Sequence, residues 1–212
     1  MPAASTRWGR QRRAPVALAC RMRSARRAAA EVLGAPILFR LMIRFSFEPG
    51  TTDDAGALAA LHTAVADHLT LQHGHGPWSA RTSEKGVLYA MRTSKVFVAR
   101  AGTEIVATLR LATKKPWAID TSYFAVCRRP LYLLAMAVTP AKQRQGIGKR
   151  CFEEATAIAK AWPADAIRLD AYDAEAGAGP FYARCGCTEV GRVSYRNTPL
   201  IYYELRLANP ER

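Results

Sequence analysis

The chain has 212 residues, a formal net charge of +14, and half of its residues are apolar. That length suits one good-sized domain with an extension, and that apolar share builds a core without disulfide or metal staples. No apolar run reaches the ~18 residues of a membrane span, residues 35–45 being broken by Arg40 and Arg44, so no membrane partner is expected.

The charge is unevenly spread. Residues 1–41 hold nine Arg and a single acid, Glu31, and so carry eight of the fourteen net charges. A nucleic-acid reading built on the whole-chain charge would rest on this first fifth. Three origins fit such an Arg- and Ala-rich stretch: a targeting presequence, a disordered basic arm that touches nucleic acid, or sequence translated ahead of the native start. The third is preferred, which sets the domain at 42–212. Residues 14–19 are too short for a secretory apolar core, although Cys20 follows them. Five cysteines, at 20, 127, 151, 185 and 187, form no paired metal spacing and read as free thiols of a reducing compartment, hence a cytoplasmic protein.

From Met42 the elements follow in order. Residues 43–47 suit a short strand, and Pro49-Gly50 a turn. Thr52 or Asp53 caps a helix with apolar positions at Ala57, Leu58, Leu61, Val65 and Leu69. Residues 73–77 form a loop, and a second helix runs over about 79–92. Residues 95–101 and 104–111 form a hairpin turning at Gly102-Thr103. Residues 112–130 are irregular. Residues 131–138 are apolar apart from Tyr132, as in a strand buried on both faces. A helix follows, with an apolar face at Ile147, Cys151, Phe152, Ala155, Ile158, Ala159 and Trp162, closed by Pro163. Residues 167–172 make a second central strand. Strand, loop, helix, strand is a βαβ unit, so these two strands are expected to be parallel neighbours. Pro180 suits the first turn of a short helix and Gly186 its end. Residues 188–195 and 199–207 close the chain as a hairpin.

The loop between the buried strand and its helix reads Ala137-Val138-Thr139-Pro140-Ala141-Lys142-Gln143-Arg144-Gln145-Gly146-Ile147-Gly148-Lys149-Arg150. Backbone N–H groups at a helix start attract phosphate, and glycines let the ligand approach. The Walker pattern fails, because position 143 is Gln and position 150 is Arg. The dinucleotide fingerprint fails at Cys151. Residues 143–148 do fit Q/R-x-x-G-x-G/A. About thirty residues later comes Gly179-Pro180-Phe181-Tyr182-Ala183-Arg184-Cys185-Gly186-Cys187. In these two segments, and in Thr-x-Asp before an Ala/Leu-rich helix, the chain resembles the GCN5-related N-acetyltransferase (GNAT) family over most of 42–212.

The resemblance implies an α/β fold: a mixed, mostly antiparallel sheet, splayed between two parallel strands and flanked by helices. It implies acetyl-CoA as co-substrate, no metal, and a primary amine as acceptor, acetylated by direct attack in a ternary complex. Backbone of Met136, Ala137 and Val138 would meet the pantetheine. Gln143, Arg144, Gln145, Gly146, Ile147, Gly148 and Lys149 would cradle the pyrophosphate, and an N–H near Ala137 would polarise the thioester carbonyl. Tyr182 aligns with the family's thiolate-facing tyrosine, able to donate a proton or a hydrogen bond. The chain departs from the family in three places. Residues 173–177 hold no Asn, Cys187 replaces a Phe, and the strand 131–138 carries no acid. The base is left open among Asp120, Asp170, Asp173, Glu175 and a water chain.

Other residues have ordinary readings beside functional ones. His73 and His75 suit an exposed loop better than a metal site, and His62 and His68 share no helix face. Trp78 and Trp117 are either cleft lining or core. Lys114, Lys115, Arg128 and Arg129 are either a basic rim or a solvated loop. Two rivals to the enzyme remain. One is an acyl-CoA sensor module of the same fold, and the other a nucleic-acid binder resting on residues 1–41, the less favoured partner. A monomer or a homodimer is expected.

Overall fold

The computed structural model describes residues 44–207. The expectations for residues 1–41, Cys20, the domain start at Met42 and the strand residue Ile43 fall outside them. Strand β1 (Ser46–Pro49) starts later than its pattern suggests and leads into a single 3-10 turn, Thr52–Asp54. The cap is Thr51, one residue before the expected Thr52. Its backbone N–H and hydroxyl both donate to the Asp54 carboxylate, at 2.8 and 3.2 Å. Helix α1 (Ala55–His73) buries Ala55, Leu58, Leu61 and Ala66, whereas Ala57 faces solvent. Helix α2 (Glu84–Thr93) is shorter than expected. Ser83 accepts from the Gly86 N–H and caps it, while Pro77–Ser79 is a separate turn.

Strands β2 (Lys95–Ala101) and β3 (Glu104–Ala112) form the expected hairpin. A long loop leads to β4 (Pro130–Val138), and helix α3 (Ile147–Ala161) leads to β5 (Ala166–Tyr172). Helix α4 (Gly179–Arg184) carries Pro180 in its first turn and is followed by Gly186 at φ +88°. Strands β6 (Thr188–Tyr195) and β7 (Thr198–Arg206) close the chain. Their two-residue turn, Arg196-Asn197, has positive φ at both positions, the twist that a tight hairpin demands.

Among the described residues, seven strands form one open sheet in the order β1-β2-β3-β4-β5-β7-β6. Within it only β4 and β5 are parallel, as the βαβ pattern requires. One face packs on α3 and α4 through Leu109, Leu131, Ile167 and Leu169 against Ile147, Cys151, Phe152 and Ala155. Each such fully buried Leu or Ile contributes roughly 2 kcal/mol. The other face packs Val96 and Val98 on Ala55, Leu58 and Val87 of α1 and α2. Farther along that face, Tyr132 and Tyr202 sit under Ile119 and Phe124 of the loop over 113–129. No helix among the described residues is long and apolar enough to cross a membrane.

Candidate active site

Strand β4 is not the uniformly buried strand that its composition suggests. Thr108 of β3 faces Ala137, but Arg110 faces Leu134. Two residues of β4, Ala135 and Met136, therefore oppose the single residue Leu109. This is a bulge, which re-aims the strand beyond it. Ala135 has φ +47° and is exposed at the kink. Past it, Ala137 is buried and Met136 and Val138 are half-buried. The strand is pinned again where the Thr139 N–H donates to the Val106 carbonyl at 2.9 Å.

Strands β4 and β5 pair only at Pro130–Ala166, Leu131–Ile167 and Tyr132–Arg168. Beyond those pairs they diverge. The bulge and residues 136–138 lie on the divergent part, so the C-terminal half of β4 presents a backbone edge to the seam between the strands.

The glycine loop sits at the same end. The Gln143 side-chain amide donates to the Val138 carbonyl at 3.1 Å and ties the loop back to the strand. Arg144 (φ +58°) and Gly146 (φ +85°) are both left-handed. Gly146 is the N-cap of α3, and no side chain of a described residue caps that helix. Its first-turn N–H groups, those of Ile147, Gly148 and Lys149, precede the first helical bond, from the Arg150 N–H to the Gly146 carbonyl at 3.1 Å. The macrodipole adds a partial positive charge there. Gln143 is half-buried and Arg144, Gln145 and Lys149 are exposed around this start, with Lys149 3.6 Å from Glu153. Ile147 differs. Its side chain is in the core, so only its backbone faces the loop.

Tyr182 lies on α4 behind the seam, on the α3 face of the sheet. Its ring packs among those of Phe181, Phe152 and Tyr203, with centroids 5.1, 6.0 and 6.2 Å away. Burial, helped by Cys187, Asp170 and Cys185, pushes its phenol well above the usual tyrosine range. Burial also pushes the Cys151 and Cys187 thiols up to about 12, so neither is a thiolate nucleophile near neutrality.

The opposite face carries a different set. Leu169 and Ala171 point into the α3 core, so alternation places Arg168, Asp170 and Tyr172 on the α1/α2 face. Register puts Arg110 on that face too, because Arg110 pairs with Leu134 and Tyr132 with Arg168. Asp170 lies just beyond the last β4–β5 pair, and burial raises its carboxyl above the ordinary value. The α1–α2 connection closes over this face. The Tyr172 hydroxyl donates to the Pro77 carbonyl at 3.3 Å, and Trp78 meets the Tyr172 ring edge-on at 5.9 Å.

Of the two tryptophans, Trp78 thus borders the seam, whereas Trp117 is 88% exposed and lies in the loop before β4. Lys114, Lys115, Arg128 and Arg129 lie in or beside the loop before β4. The Arg128 and Arg129 N–H groups bind Asp165 at 2.9 and 2.8 Å, at the other end of β4, and Lys115 donates to the Ile119 carbonyl. His73 is 3.8 Å from Glu175 and beside Trp78. Among the described residues no three His, Cys, Asp or Glu side chains come together as a metal centre. Arg110, which belongs to no motif, lines a cavity with His62, which shares no helix face with His68. The signal for Arg110 was present: a lone cation in the otherwise apolar run Leu109-Arg110-Leu111.

Comparison with known proteins agrees with this geometry. A family model described as the acetyltransferase (GNAT) family matches residues 62–187. No curated protein matches the sequence. Among solved structures, a GNAT-family acetyltransferase from Listeria monocytogenes 4b F2365 superposes with a TM-score of 0.61 at 16% identity, over 77% of this chain and 95% of that one. The ribosomal-protein-S18-alanine N-acetyltransferase from Escherichia coli gives 0.58 at 17% identity, over 77% and 94%. An acetyltransferase from Salmonella typhimurium, solved with its cofactor acetyl-CoA, gives 0.56 at 13% identity, over 77% and 94%. The structural likenesses carry the fold, and the family model spans more than half of the sequence: this chain belongs to the GNAT family of acetyltransferases.

Proposed function

We propose that the protein transfers the acetyl group of acetyl-CoA to an amine by direct attack in a ternary complex. The observation that carries this reading is the uncapped start of α3, with Gly146 left-handed, beside the edge that β4 presents to the seam. The N–H groups of residues 146–149, with Arg144 and Lys149 nearby, suit a pyrophosphate. The edge of Met136, Ala137 and Val138 suits the amides of the pantetheine arm, and an N–H re-aimed by the bulge suits the thioester carbonyl.

The amine arrives as an ammonium ion and must lose a proton before it attacks. Asp170 takes that proton on the α1/α2 face and passes it to solvent. The nitrogen then forms the C–N bond at the thioester carbon, and the C–S bond breaks. The second N–H proton leaves with CoA, which departs as the thiol. Tyr182 faces the sulfur from the other side of the sheet. With its pKa raised above that of a thiol, it holds the developing thiolate by a hydrogen bond and keeps its own proton.

The test is calorimetric titration of acetyl-CoA, beside adenosine diphosphate, into the purified chain. The expected result is binding that Gly146→Asp weakens about tenfold or more, through charge repulsion at the helix start. Tyr182→Phe should keep that affinity and lose rate, by about tenfold to a hundredfold. Absence of binding by folded protein overturns the reading. Unchanged turnover in Tyr182→Phe removes the tyrosine from the mechanism, and binding without turnover of any amine favours the sensor module.

A further inference from the structure

Three guanidinium groups lie on the sheet face that α1, α2 and the loop over 113–129 cover, and two are neutralised. Arg100 is paired with Glu48 and Asp54, at 2.5 and 2.6 Å. Arg168 is paired with Glu204 at 2.9 Å. Arg110 has no such partner. Its Nε is fully buried and makes no hydrogen bond, and no carboxylate of the described residues pairs with it. Its titratable neighbour is His62, whose pKa burial and then Arg110 hold below the usual value; an imidazole supplies no negative charge in either form.

Arg110 is half-buried as a residue, but native interiors seldom leave a buried polar atom such as its Nε unsatisfied, and a partly desolvated guanidinium gains from an anion. Arg110 also opens on a space. A cavity of about 160 Å³ is lined by His62 of α1, Thr82, Gly86 of α2, Thr108 and Arg110 of β3, and Ala135 at the bulge of β4. The cavity therefore ends at the kink of the strand whose far edge faces the seam. Asp170 lies on the same sheet face, with β4 between it and Arg110.

We propose that the acceptor is a small amine that also bears a carboxylate, of the amino-acid class, and that Arg110 binds that carboxylate in this cavity. The inference rests on the acetyl-transfer reading of the seam. A planar guanidinium matches a carboxylate with two parallel hydrogen bonds, which fixes orientation as well as charge. With its carboxylate on Arg110 the ligand sends its amine past Ala135 towards the seam, where Asp170 stands. The same cation repels polyamines and aminoglycosides, and the volume admits a carboxylate with a few carbons.

The experiment measures thiol release from acetyl-CoA with the full chain. The acceptors are the common amino acids, their carboxamides, spermidine and a lysyl peptide. The expected result is turnover of one or more acids, with the matching amide lower in kcat/KM by about a hundredfold or more. Arg110→Gln should bring the acid-to-amide ratio close to one, with Arg110→Lys between. Acetyl-CoA affinity, titrated on each variant, checks that the fold and seam are intact. If folded wild type fails to bind acetyl-CoA, the seam reading falls and takes this one with it. If it binds but turns over amides, spermidine or peptide as readily as acids, only the carboxylate anchor falls.

A second readout needs no correct guess of acceptor. The Arg110 Nε–H resonance, assigned by its loss in Arg110→Gln, should shift on titration with propionate or glycine. A resonance unmoved by both overturns the proposal.

Discussion

A single carboxylate in the middle of an apolar strand has consequences for both rate and stability. Asp170 titrates near 3.8 when unfolded, and burial raises that value in the folded protein. Between the two values the folded state holds a proton that the unfolded state has lost, so Asp170 makes stability fall as pH rises through that window. Above the raised value the penalty is complete. Asp170→Asn should therefore raise the melting temperature at pH 8, and the gain should vanish as pH drops below the ordinary aspartate range. In the same variant kcat/KM should fall by about a hundredfold or more and lose the acid limb that Asp170 gives the wild type. A variant that is no more stable at pH 8, or as active as wild type, would remove Asp170 from this role.

At this scale the sequence was informative wherever chemistry broke a pattern. Gly146 and Tyr182 stood out as parts of spaced motifs, whereas Asp170 was one of four acids among which the base stayed open. Ala135 did not, because an alanine at φ +47° has no compositional mark. Its bulge is imposed by the register of β3, which lies more than twenty residues earlier in the chain. Arg110 showed as a charge, but its lack of a partner is a fact about α1, α2 and β4 together.

Among the elements, the loop over 113–129 is the one that sequence left blank, and side chains from the sheet fix it in place. Tyr202 donates its hydroxyl to the Ala118 carbonyl and accepts from the Asp120 N–H. Arg168 donates to the Ala125 carbonyl and lies 4.8 Å from the Phe124 ring, while Glu204, only 4% exposed, neutralises it. Glu204→Leu strands that guanidinium and should cost about 3–5 kcal/mol. The double variant Arg168→Met/Glu204→Leu should recover much of the loss in global stability, while the loop stays loosened because its own anchor is gone. Denaturant melts and hydrogen exchange over 113–129 separate the two effects. A double variant no better than Glu204→Leu would show that the pair does more than neutralise itself. Such anchors reach the loop from strands roughly forty to eighty residues away in sequence, which explains why local pattern could not place it. The helices were legible because their caps and apolar stripes are local. Their starts were less so, since the choice of Thr51 over Thr52 turns on one carboxylate contact.

At the scale of the molecule, the described residues hold a seven-stranded sheet, helices on both of its faces and the seam. A chain that begins at Met42 should bind acetyl-CoA within about twofold of the full chain, and any salt-dependent nucleic-acid binding of the full chain should be lost. Parallel titrations of the two proteins check this, and a large drop in acetyl-CoA affinity would assign the first forty-one residues a part in the site.

The short parallel pairing of β4 and β5 also has a mechanical side. It is the briefest ladder in the sheet, and every strand before it in sequence lies on one side of it and every strand after it on the other. The chain crosses that line once, through α3. The protein is thus two plates that share one short ladder, tied besides α3 by the loop over 113–129, through Tyr202 and Arg168, and by the α1–α2 connection, through Tyr172. A ligand lodged in the wedge between the plates would lean on both at once, so its grip would be felt at the far edges, in β1 and β6, as a loss of play between parts that never touch it.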